Sequence, residues 1–411
     1  MELLIDTQKD QKVQTNKEEK KTIKKTVSES KVDESIRSPL KLAIVLFTNI
    51  GVGAGTEVVA KELSRAMVEK NFASSVSIVQ TDYMFTASTN NWVGEVSNKK
   101  IKLLNFTSPY NNILYSFFSK YKPLTYLFNI IYPIMYIISN SENLKFIWET
   151  NDRIYLVYWL DALIWSLVGK NVKKIVVSNQ CGISEKKLFL KFLRKKNIHS
   201  LTYLTKRDMA KNALSSFLKY VIPNGVRSEE FLPSLRIENS FETSFLFLSR
   251  LDHTKGISEL LQAADMLGHE PWFNLTIVGT GEYSDILSNS KNPKINFKGY
   301  VPYEKLPEIY SSSDVFIFPS YGETFGNVVI EAVSCGVFVL LSSKLKGIFD
   351  DLEELGAIRY IEIDPVSIAN EITKLKGFHL SKSKKLEFHK YIQDHYDWSS
   401  IALKLYEMIK D

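Results

Sequence analysis

The sequence predicts an α/β protein with two doubly wound, Rossmann-like domains. In the first half, the continuous apolar run at 42–47 predicts a strand buried on both faces of a parallel sheet. A glycine-rich turn at 51–55 follows this run, and an amphipathic helix comes next. A second series of strand and helix patterns begins after the turn at 223–225. Two such series imply two domains with a cleft between them, and ligands of such folds bind at the carboxyl ends of the strands.

The predicted elements alternate in the same way in both halves. One face of the first helix carries Val58, Val59, Leu63 and Met67. Further strands of the first half are predicted at 154–159 and 175–177, with a helix from Asp161. The second half has predicted strands at 245–248, 275–278, 295–297, 315–318 and 337–341, and helices that begin at 257, 283, 304 and 328.

Composition limits the kind of protein that this chain can be. The 411 residues are 45% hydrophobic and 24% charged, which excludes a wholly disordered or coiled-coil chain. Residues 1–40 differ, because nine basic and eight acidic residues stand there with little apolar periodicity, and a disordered extension is expected. The two cysteines, Cys181 and Cys335, exclude a disulfide scaffold and a CxxC zinc site. The six scattered histidines form no HExxH pair, so no metal site is expected.

Positive charge is concentrated in one window of the first half. Residues 170–219 contain 13 Lys or Arg and two acidic residues, a local charge of 13 − 2 = +11 in a chain of net charge +6. Within this window, the segment 186–196 predicts a helix whose apolar face carries Leu188, Phe189, Phe192 and Leu193, and whose opposite face carries Lys187, Lys191 and Arg194. This pattern is typical of a helix that lies on an anionic membrane surface, and also of an ordinary surface helix packed on a core. Nucleic acid is a weaker alternative partner, because no aromatic-basic platform or helix-turn-helix pattern accompanies the window.

Neither a secretory leader nor a membrane-spanning segment is visible. The first ten residues, MELLIDTQKD, carry early acids instead of a basic region followed by apolar residues. The apolar stretch at 124–138 is interrupted by Asn129 and Pro133, and we interpret it as a buried helix pair. A cytoplasmic protein is therefore expected, peripheral at the inner face of the membrane if the basic helix binds lipid.

Two carboxylates bracket a glycine that opens a helix. Glu323 and Glu331 stand eight positions apart, with Gly326 between them, directly after the predicted strand at 315–318. We expect Glu323 in the loop and Glu331 in the helix, where a carboxylate can hold ribose or sugar hydroxyls. The amides of Phe325, Gly326 and Asn327 would form an anion site at the helix N-terminus. A merely solvated Glu331 is the alternative interpretation.

Two cations follow another strand of the second half. Arg250 and Lys255 come after the predicted strand at 245–248 and precede a helix that opens at Gly256. Arginine can hold a phosphate with two hydrogen bonds and lysine can hold it as a point charge. A third glycine turn, at 278–281, ends the next strand with Gly281. Three such loops on one sheet indicate a ligand-binding site much more strongly than any one of them does.

In combination, these motifs resemble those of the retaining GT-B glycosyltransferases of family 4. The resemblance covers about residues 41–411. The matching pieces are the N-terminal glycine loop with Glu57, the Ile222-Pro223-Asn224-Gly225-Val226 hinge, the segment 249–256, the turn 278–281, the strand 314–320 and the pair Glu323 and Glu331. The stretch from Tyr396-Asp397-Trp398 onward resembles the closing helix that crosses back to the first domain. The implied domains are an acceptor-side domain at 41–221, a nucleotide-sugar domain at 222–380 and returning helices at 381–411.

The resemblance implies a role for each motif residue. Arg250 and Lys255 would neutralise the donor diphosphate without a metal, and Glu331 would bind the ribose hydroxyls. Glu323, with the 325–327 backbone, would hold the sugar and its leaving phosphate. Gly281 belongs to the donor site as well. Gly53 and Gly55 would let the backbone of the first domain approach the donor or the acceptor.

One position departs from the family pattern. Members often carry a histidine near the last parallel strands of the first domain, where this chain has Ser178, Asn179, Gln180 and Cys181. No histidine lies between 41 and 198, so Asn179 or Gln180 would have to substitute by hydrogen bonding.

The resemblance implies a metal-independent, retaining, hexosyl-type glycosyltransferase. Its donor would be a nucleotide-diphosphate sugar, and its acceptor a lipid-linked or polysaccharide molecule at a membrane surface, with no role for nucleic acid. The main alternative is a catalytically inactive GT-B-like subunit that supports a partner enzyme.

Overall fold

The computed structural model describes residues 39–46, 55–81, 100–106, 134–157, 159–168, 172–179, 195–211, 217–234 and 241–410. Several predictions lie wholly or partly outside these described residues: residues 1–38 of the extension predicted at 1–40, residues 124–133 of the apolar stretch at 124–138, Gly53, Gln180, Cys181 and residues 186–194 of the basic helix. The described parts of the chain divide into two compact units. One unit contains the described residues of Val226–Asp397, and the other contains the described residues of Ser35–Gly225 together with 398–410.

The N-terminal unit is built on a sheet of seven parallel strands in the order β3-β2-β1-β4-β5-β6-β7. The strands are β1 Leu40–Val45, β2 Ala73–Thr81, β3 Ile101–Phe106, β4 Arg153–Leu156, β5 Ile175–Asn179, β6 Ile198–Tyr203 and β7 Leu218–Val221. The helices of this part of the chain are α1 Gly55–Glu69, α2 Ser141–Thr150, α3 Trp159–Val168 and α4 Lys206–Lys211.

Both faces of β1 are covered, which is why its sequence is continuously apolar. Leu42 and Ile44 point into a core that α1 closes with Leu63 and Met67. Ala43 and Val45 point into a second core that includes Trp165 of α3. The last helix of the chain, Trp398–Ile409, packs into the first of these cores.

The C-terminal unit has a sheet of six parallel strands in the order β10-β9-β8-β11-β12-β13. The strands are β8 Thr243–Leu248, β9 Phe273–Val278, β10 Ile295–Gly299, β11 Val315–Phe318, β12 Phe338–Ser342 and β13 Ile358–Ile361. The helices are α5 Ile257–Met266, α6 Ser284–Ser288, α7 Leu306–Ser311, α8 Asn327–Ser334, α9 Asp350–Glu354, α10 Pro365–Thr373, α11 Lys382–Tyr396 and, in the N-terminal unit, α12 Trp398–Ile409.

The two parallel sheets with their helices confirm the predicted fold class. Several element boundaries were wrong, among them those of β4 and α7. The strand predicted at 154–159 ends at Leu156, and α3 begins at Trp159. The helix predicted from Glu304 begins instead at Leu306, after a 3-10 turn at Tyr303–Lys305, because Pro307 fits the first turn of a helix.

Candidate functional site

The predicted donor residues of the C-terminal unit follow two neighbouring strands. Strands β8 and β11 pair in parallel at the centre of the sheet, so their carboxyl ends meet at the same edge. Arg250 and Lys255 follow β8, and Glu323 follows β11. The sheet topology therefore brings the cations and the first carboxylate of the motif together.

Lys255 and Glu323 form a direct ion pair. Lys255 Nζ lies 2.6 Å from Glu323 Oε1, and the two side chains are 12% and 16% exposed. Ser320 Oγ donates a second hydrogen bond to the same oxygen over 3.2 Å. Charges that are largely withdrawn from water interact more strongly than surface pairs. An anion that binds Lys255 must therefore share this cation with Glu323 or displace its carboxylate.

Asp252 organises the turn that carries both cations. Its Oδ1 accepts hydrogen bonds from the backbone and the hydroxyl of Thr254, which caps the 3-10 turn His253–Lys255. Its Oδ2 lies 3.2 Å from Nη1 of Arg250, whose side chain is 74% exposed. The hydrogen bond from the Thr254 side chain and the nearby Arg250 charge lower the pKa of Asp252. An ionised Asp252 thus orients the guanidinium of Arg250 and fixes the start of the turn that ends at Lys255.

Two glycines allow the loops at this edge to touch backbone to backbone. Gly256 has φ +70°, and a Cβ at this position would lie 2.1 Å from the carbonyl oxygen of Pro319. Gly281 has φ +155°, and its Cβ would lie 2.4 Å from the carbonyl oxygen of Leu251. Neither position has room for a side chain. The loops after β8, β9 and β11 are consequently packed against one another, with Gly281 next to the segment that bears Arg250.

The helix that follows Glu323 begins without a side-chain cap. Gly326 stands at the N-cap with φ +98°, and α8 starts at Asn327. The Phe325 ring is 1% exposed and packs on Phe349 and Tyr396, with centroids 5.1 and 6.2 Å away. This packing fixes the backbone before the helix. The first amides of a helix have no partner within it, so this N-terminus has the chemistry of an anion site.

Glu331 lies inside α8 and is buried. Its side chain is 7% exposed, and its Oε2 accepts a hydrogen bond from the Tyr310 hydroxyl over 3.0 Å. Burial raises the pKa of Glu331 to about 7, and the hydrogen bond from Tyr310 opposes this rise. The alternative of a merely solvated Glu331 is therefore wrong. Because α8 begins only at Asn327, Glu323 lies in the loop, as predicted.

The remaining predicted positions belong to the N-terminal unit. Gly55 is the first residue of α1, and Asn179 is the last residue of β5. Gly53 and Gln180 lie outside the described residues. The roles assigned to Gly53 and Gly55 at the donor or acceptor therefore stay predictions.

Sequence reasoning missed several residues that hold the site. Asp252 carries a recognisable signal, since an Asp two positions before a Thr favours a local turn. Ser320 and Tyr310 carry no such signal, because their partners Glu323 and Glu331 are set by tertiary packing.

Within the described ranges, no three His, Cys, Asp or Glu side chains are grouped so that they could hold a metal ion. No helix in the described part of the chain combines the length and the apolar character needed to cross a bilayer.

Residues 234–376 match the family model for glycosyl transferases group 1. This segment covers most of the C-terminal unit, including β8, β11 and α8. The segment that bears the ion pair between Lys255 and Glu323 therefore lies within the part of the chain that matches this family model.

Two curated proteins are similar to parts of this chain. The chain is 28% identical over 213 residues to an uncharacterised glycosyltransferase of Methanocaldococcus jannaschii, covering 46% of this chain and 53% of that protein. It is 26% identical over 189 residues to the gpi3 subunit of phosphatidylinositol N-acetylglucosaminyltransferase of Schizosaccharomyces pombe, covering 44% and 41%. The chain thus matches about half the length of these curated relatives.

Two solved structures share the fold over nearly the whole chain. A glycosyltransferase from Rickettsia africae has a TM-score of 0.69 at 16% identity, covering 91% of this chain and 99% of that one. HepE of Anabaena in complex with UDP and glucose has a TM-score of 0.63 at 14% identity, covering 90% and 100%. At such identities the likeness establishes the GT-B fold alone.

Proposed function

We propose that this protein is a metal-independent glycosyltransferase that moves a hexose-type unit from a nucleotide-diphosphate sugar, with retention, onto a membrane-associated or polysaccharide acceptor. The observation that carries the proposal is the pairing of Lys255 with Glu323 at the adjoining ends of β8 and β11, just before the N-terminus of α8. At this sheet edge, the cations and the helix amides can bind phosphate oxygens, and the carboxylate can bind sugar hydroxyls.

The chemistry follows from where charge develops. As the glycosidic bond breaks, the leaving nucleoside diphosphate retains the bonding electrons, so its negative charge grows in the transition state. Lys255 and Arg250 stabilise this charge more in the transition state than in the ground state, which is the condition for catalysis. Glu331 binds the ribose hydroxyls, and Glu323 with the 325–327 backbone holds the sugar and its leaving phosphate.

Two of the similar proteins support the proposed substrate classes. HepE was solved with UDP and glucose, which makes a uridine nucleotide sugar the first donor to test. The gpi3 relative belongs to an enzyme named for phosphatidylinositol, and it is a subunit. The reference to phosphatidylinositol fits a lipid acceptor at a membrane. The role of gpi3 as a subunit fits the inactive-subunit alternative.

Turnover by the purified full chain separates the proposal from the alternative of an inactive subunit. The absence of histidine between 41 and 198 favours the subunit, while Arg250, Lys255, Glu323 and Glu331 favour the enzyme. We expect the chain alone to release nucleoside diphosphate from a nucleotide sugar when membrane lipid extract is added. Proton NMR of the product should show the anomeric configuration of the donor, and the inverted configuration would contradict retention.

Activity should persist in excess chelator. Two cations and a helix N-terminus supply the positive charge that a divalent ion supplies elsewhere. The measurement is the rate of transfer after EDTA treatment, compared with the rate after added Mg²⁺ or Mn²⁺. Loss of transfer in EDTA with recovery on addition of Mn²⁺ would contradict the metal-independent mechanism.

The protein should bind anionic but not zwitterionic vesicles. Each cation near an anionic surface contributes about 1 kcal/mol, and the contribution falls off within a Debye length. Residues 186–194 of the basic helix lie outside the described residues, so this prediction rests on its sequence. Co-sedimentation should weaken in high salt and with Lys187→Glu combined with Lys191→Glu.

A matched control for the vesicle experiment is Lys291→Glu combined with Lys298→Glu. These exposed lysines lie in the C-terminal unit and give the same change in net charge. Equal binding to neutral vesicles would indicate purely hydrophobic attachment. Absence of binding to both kinds of vesicle would favour a soluble acceptor.

A further inference from the structure

The loop that bears Glu323 is tied to the segment after β8 by more than the ion pair. The amide of Tyr321 donates to the carbonyl oxygen of Thr254 over 2.9 Å. The hydroxyl of Tyr321 donates to Oε1 of Glu259, in the first turn of α5, over 3.0 Å. Its ring is 47% exposed. Tyr321 therefore anchors this loop through its backbone to the 3-10 turn His253–Lys255 and through its side chain to α5.

The loop has little other support between Tyr321 and Glu323. A Cβ built on Gly322 would meet no atom within 4 Å, and the Gly322 carbonyl oxygen lies 3.2 Å from Ser320 Oγ of the same loop. Glu323 is held by Ser320 within the loop and by Lys255 from outside it, and Lys255 is also the cation expected to bind the donor diphosphate. When phosphate oxygens bind Lys255, they weaken its ion pair with Glu323, and the loop is then held less firmly. The contact between Tyr321 and Glu259 involves neither Arg250 nor Lys255, so it stays in place when phosphate binds Lys255.

Glu259 is suited to hold this contact. It lies on α5, whose residues Ile257 and Leu260 are fully buried in the core of the unit. Its second oxygen, Oε2, is buried and has no hydrogen-bond partner among the described residues. The Tyr321 hydroxyl donates to the other oxygen, Oε1, so among the described residues this contact is the side-chain hydrogen bond on which the Glu259 carboxylate depends.

We propose that Tyr321 and Glu259 are positioning residues that keep the Glu323 loop in its catalytic position while the donor occupies Lys255. This inference rests on the proposed function, because it assigns a role to the loop during sugar transfer. Neither residue needs to touch the donor. Loss of the contact should leave binding of the diphosphate intact, since Arg250 and Lys255 stay in place. It should slow the transfer step, because Glu323 is no longer held against the sugar.

The first experiment measures the loop itself, without any ligand. Hydrogen exchange of the 319–326 peptide in Tyr321→Phe should be several-fold faster than in the wild type, with the rest of the C-terminal unit unchanged. The amide of Tyr321 is the reporter, because it donates to Thr254. Tyr300→Phe, which removes a hydroxyl from a ring that is 74% exposed, is the matched control. Unchanged exchange in Tyr321→Phe would overturn the positioning role of Tyr321.

The second experiment measures transfer from UDP-glucose or whichever nucleotide sugar the wild type uses. We expect Tyr321→Phe and Glu259→Leu each to lower kcat about tenfold, with Kd for the free nucleoside diphosphate changed less than twofold. Their combination should be no worse than either alone, because both remove the same contact. Glu259→Gln, which retains an acceptor oxygen, should recover most of the rate.

The outcomes distinguish this inference from the proposed function. Faster loop exchange with unchanged kcat would overturn the positioning role while leaving the enzyme assignment intact. A parallel loss of kcat, nucleotide affinity and thermal stability would show a merely structural contact and would also overturn it. Absence of turnover and of nucleotide binding in the wild type would refute the proposed function, and the positioning role would fail with it.

Discussion

Lys255→Ala should lower the rate of sugar transfer by about 10²- to 10³-fold, by analogy with the loss of one oxyanion-hole donor. Lys255 is 12% exposed, so its charge acts at the sheet edge with little screening by water. Arg250→Ala should reduce the rate in the same range, because it removes the second charge aimed at the leaving diphosphate. Steady-state kinetics with a saturating acceptor measure both effects.

The control must separate lost catalysis from lost stability. Lys255→Ala leaves Glu323 without its cation, so we expect some loss of thermal stability as well. Arg250 is 74% exposed, and its removal should leave the unfolding midpoint close to that of the wild type. Lys305→Ala, at an exposed lysine of the same unit, should change neither quantity. Wild-type turnover in Arg250→Ala and Lys255→Ala would remove both residues from the site.

Glu331→Gln should stabilise the protein at alkaline pH and change little at acidic pH. Burial raises the pKa of Glu331 to about 7 from its usual 4.5, so the folded state binds the proton more tightly than the unfolded state. The stability contributed by the protonated carboxyl is present below the unfolded pKa and is lost as the pH rises through 7. Glutamine imitates the protonated form and avoids this loss.

The expected size follows from the shift in pKa. The unfolding free energy of the wild type relative to Glu331→Gln should fall by roughly 2 to 3 kcal/mol between pH 5 and pH 8.5. Denaturant titrations at several pH values measure this difference. Glu353→Gln, at an exposed glutamate of α9, should show no such trend. A difference that is independent of pH would mean that the Glu331 carboxylate is solvated or fully paired in the folded state.

The sequence was sufficient to predict the buried strands and most boundaries of the second half. Strand β11 has four buried apolar residues in succession, and such a run is unambiguous between turn signals. Strands β2, β3, β6, β7 and β13 were not predicted, and in β2 and β6 buried polar residues interrupt the apolar pattern. Ser200 and Thr202 of β6 are buried at 0% and 1% exposure, which a hydropathy pattern cannot anticipate.

The candidate site was predictable to the extent that it depends on local chemistry. The order of strand, glycine turn and helix placed Arg250, Lys255 and Glu323 at strand ends, and parallel topology then brought these ends together. The partners of these residues were not predictable. The contact between Tyr310 and Glu331 joins residues 21 positions apart, and that between Lys255 and Glu323 joins residues 68 apart. Such pairs depend on the packing of helices and loops, which no local pattern encodes.

The central claim is that the C-terminal unit binds a nucleotide-diphosphate sugar through Lys255 and its neighbours. The most direct test is a thermal-shift screen of the full chain against UDP-, GDP-, ADP- and TDP-sugars. At 100 times its dissociation constant, the correct donor should stabilise the folded state by roughly 2.7 kcal/mol. This stabilisation should be strongly reduced in Lys255→Ala and retained in Lys305→Ala. If no nucleotide sugar raises the unfolding temperature of the wild type, or if Lys255→Ala responds as the wild type does, the claim is contradicted.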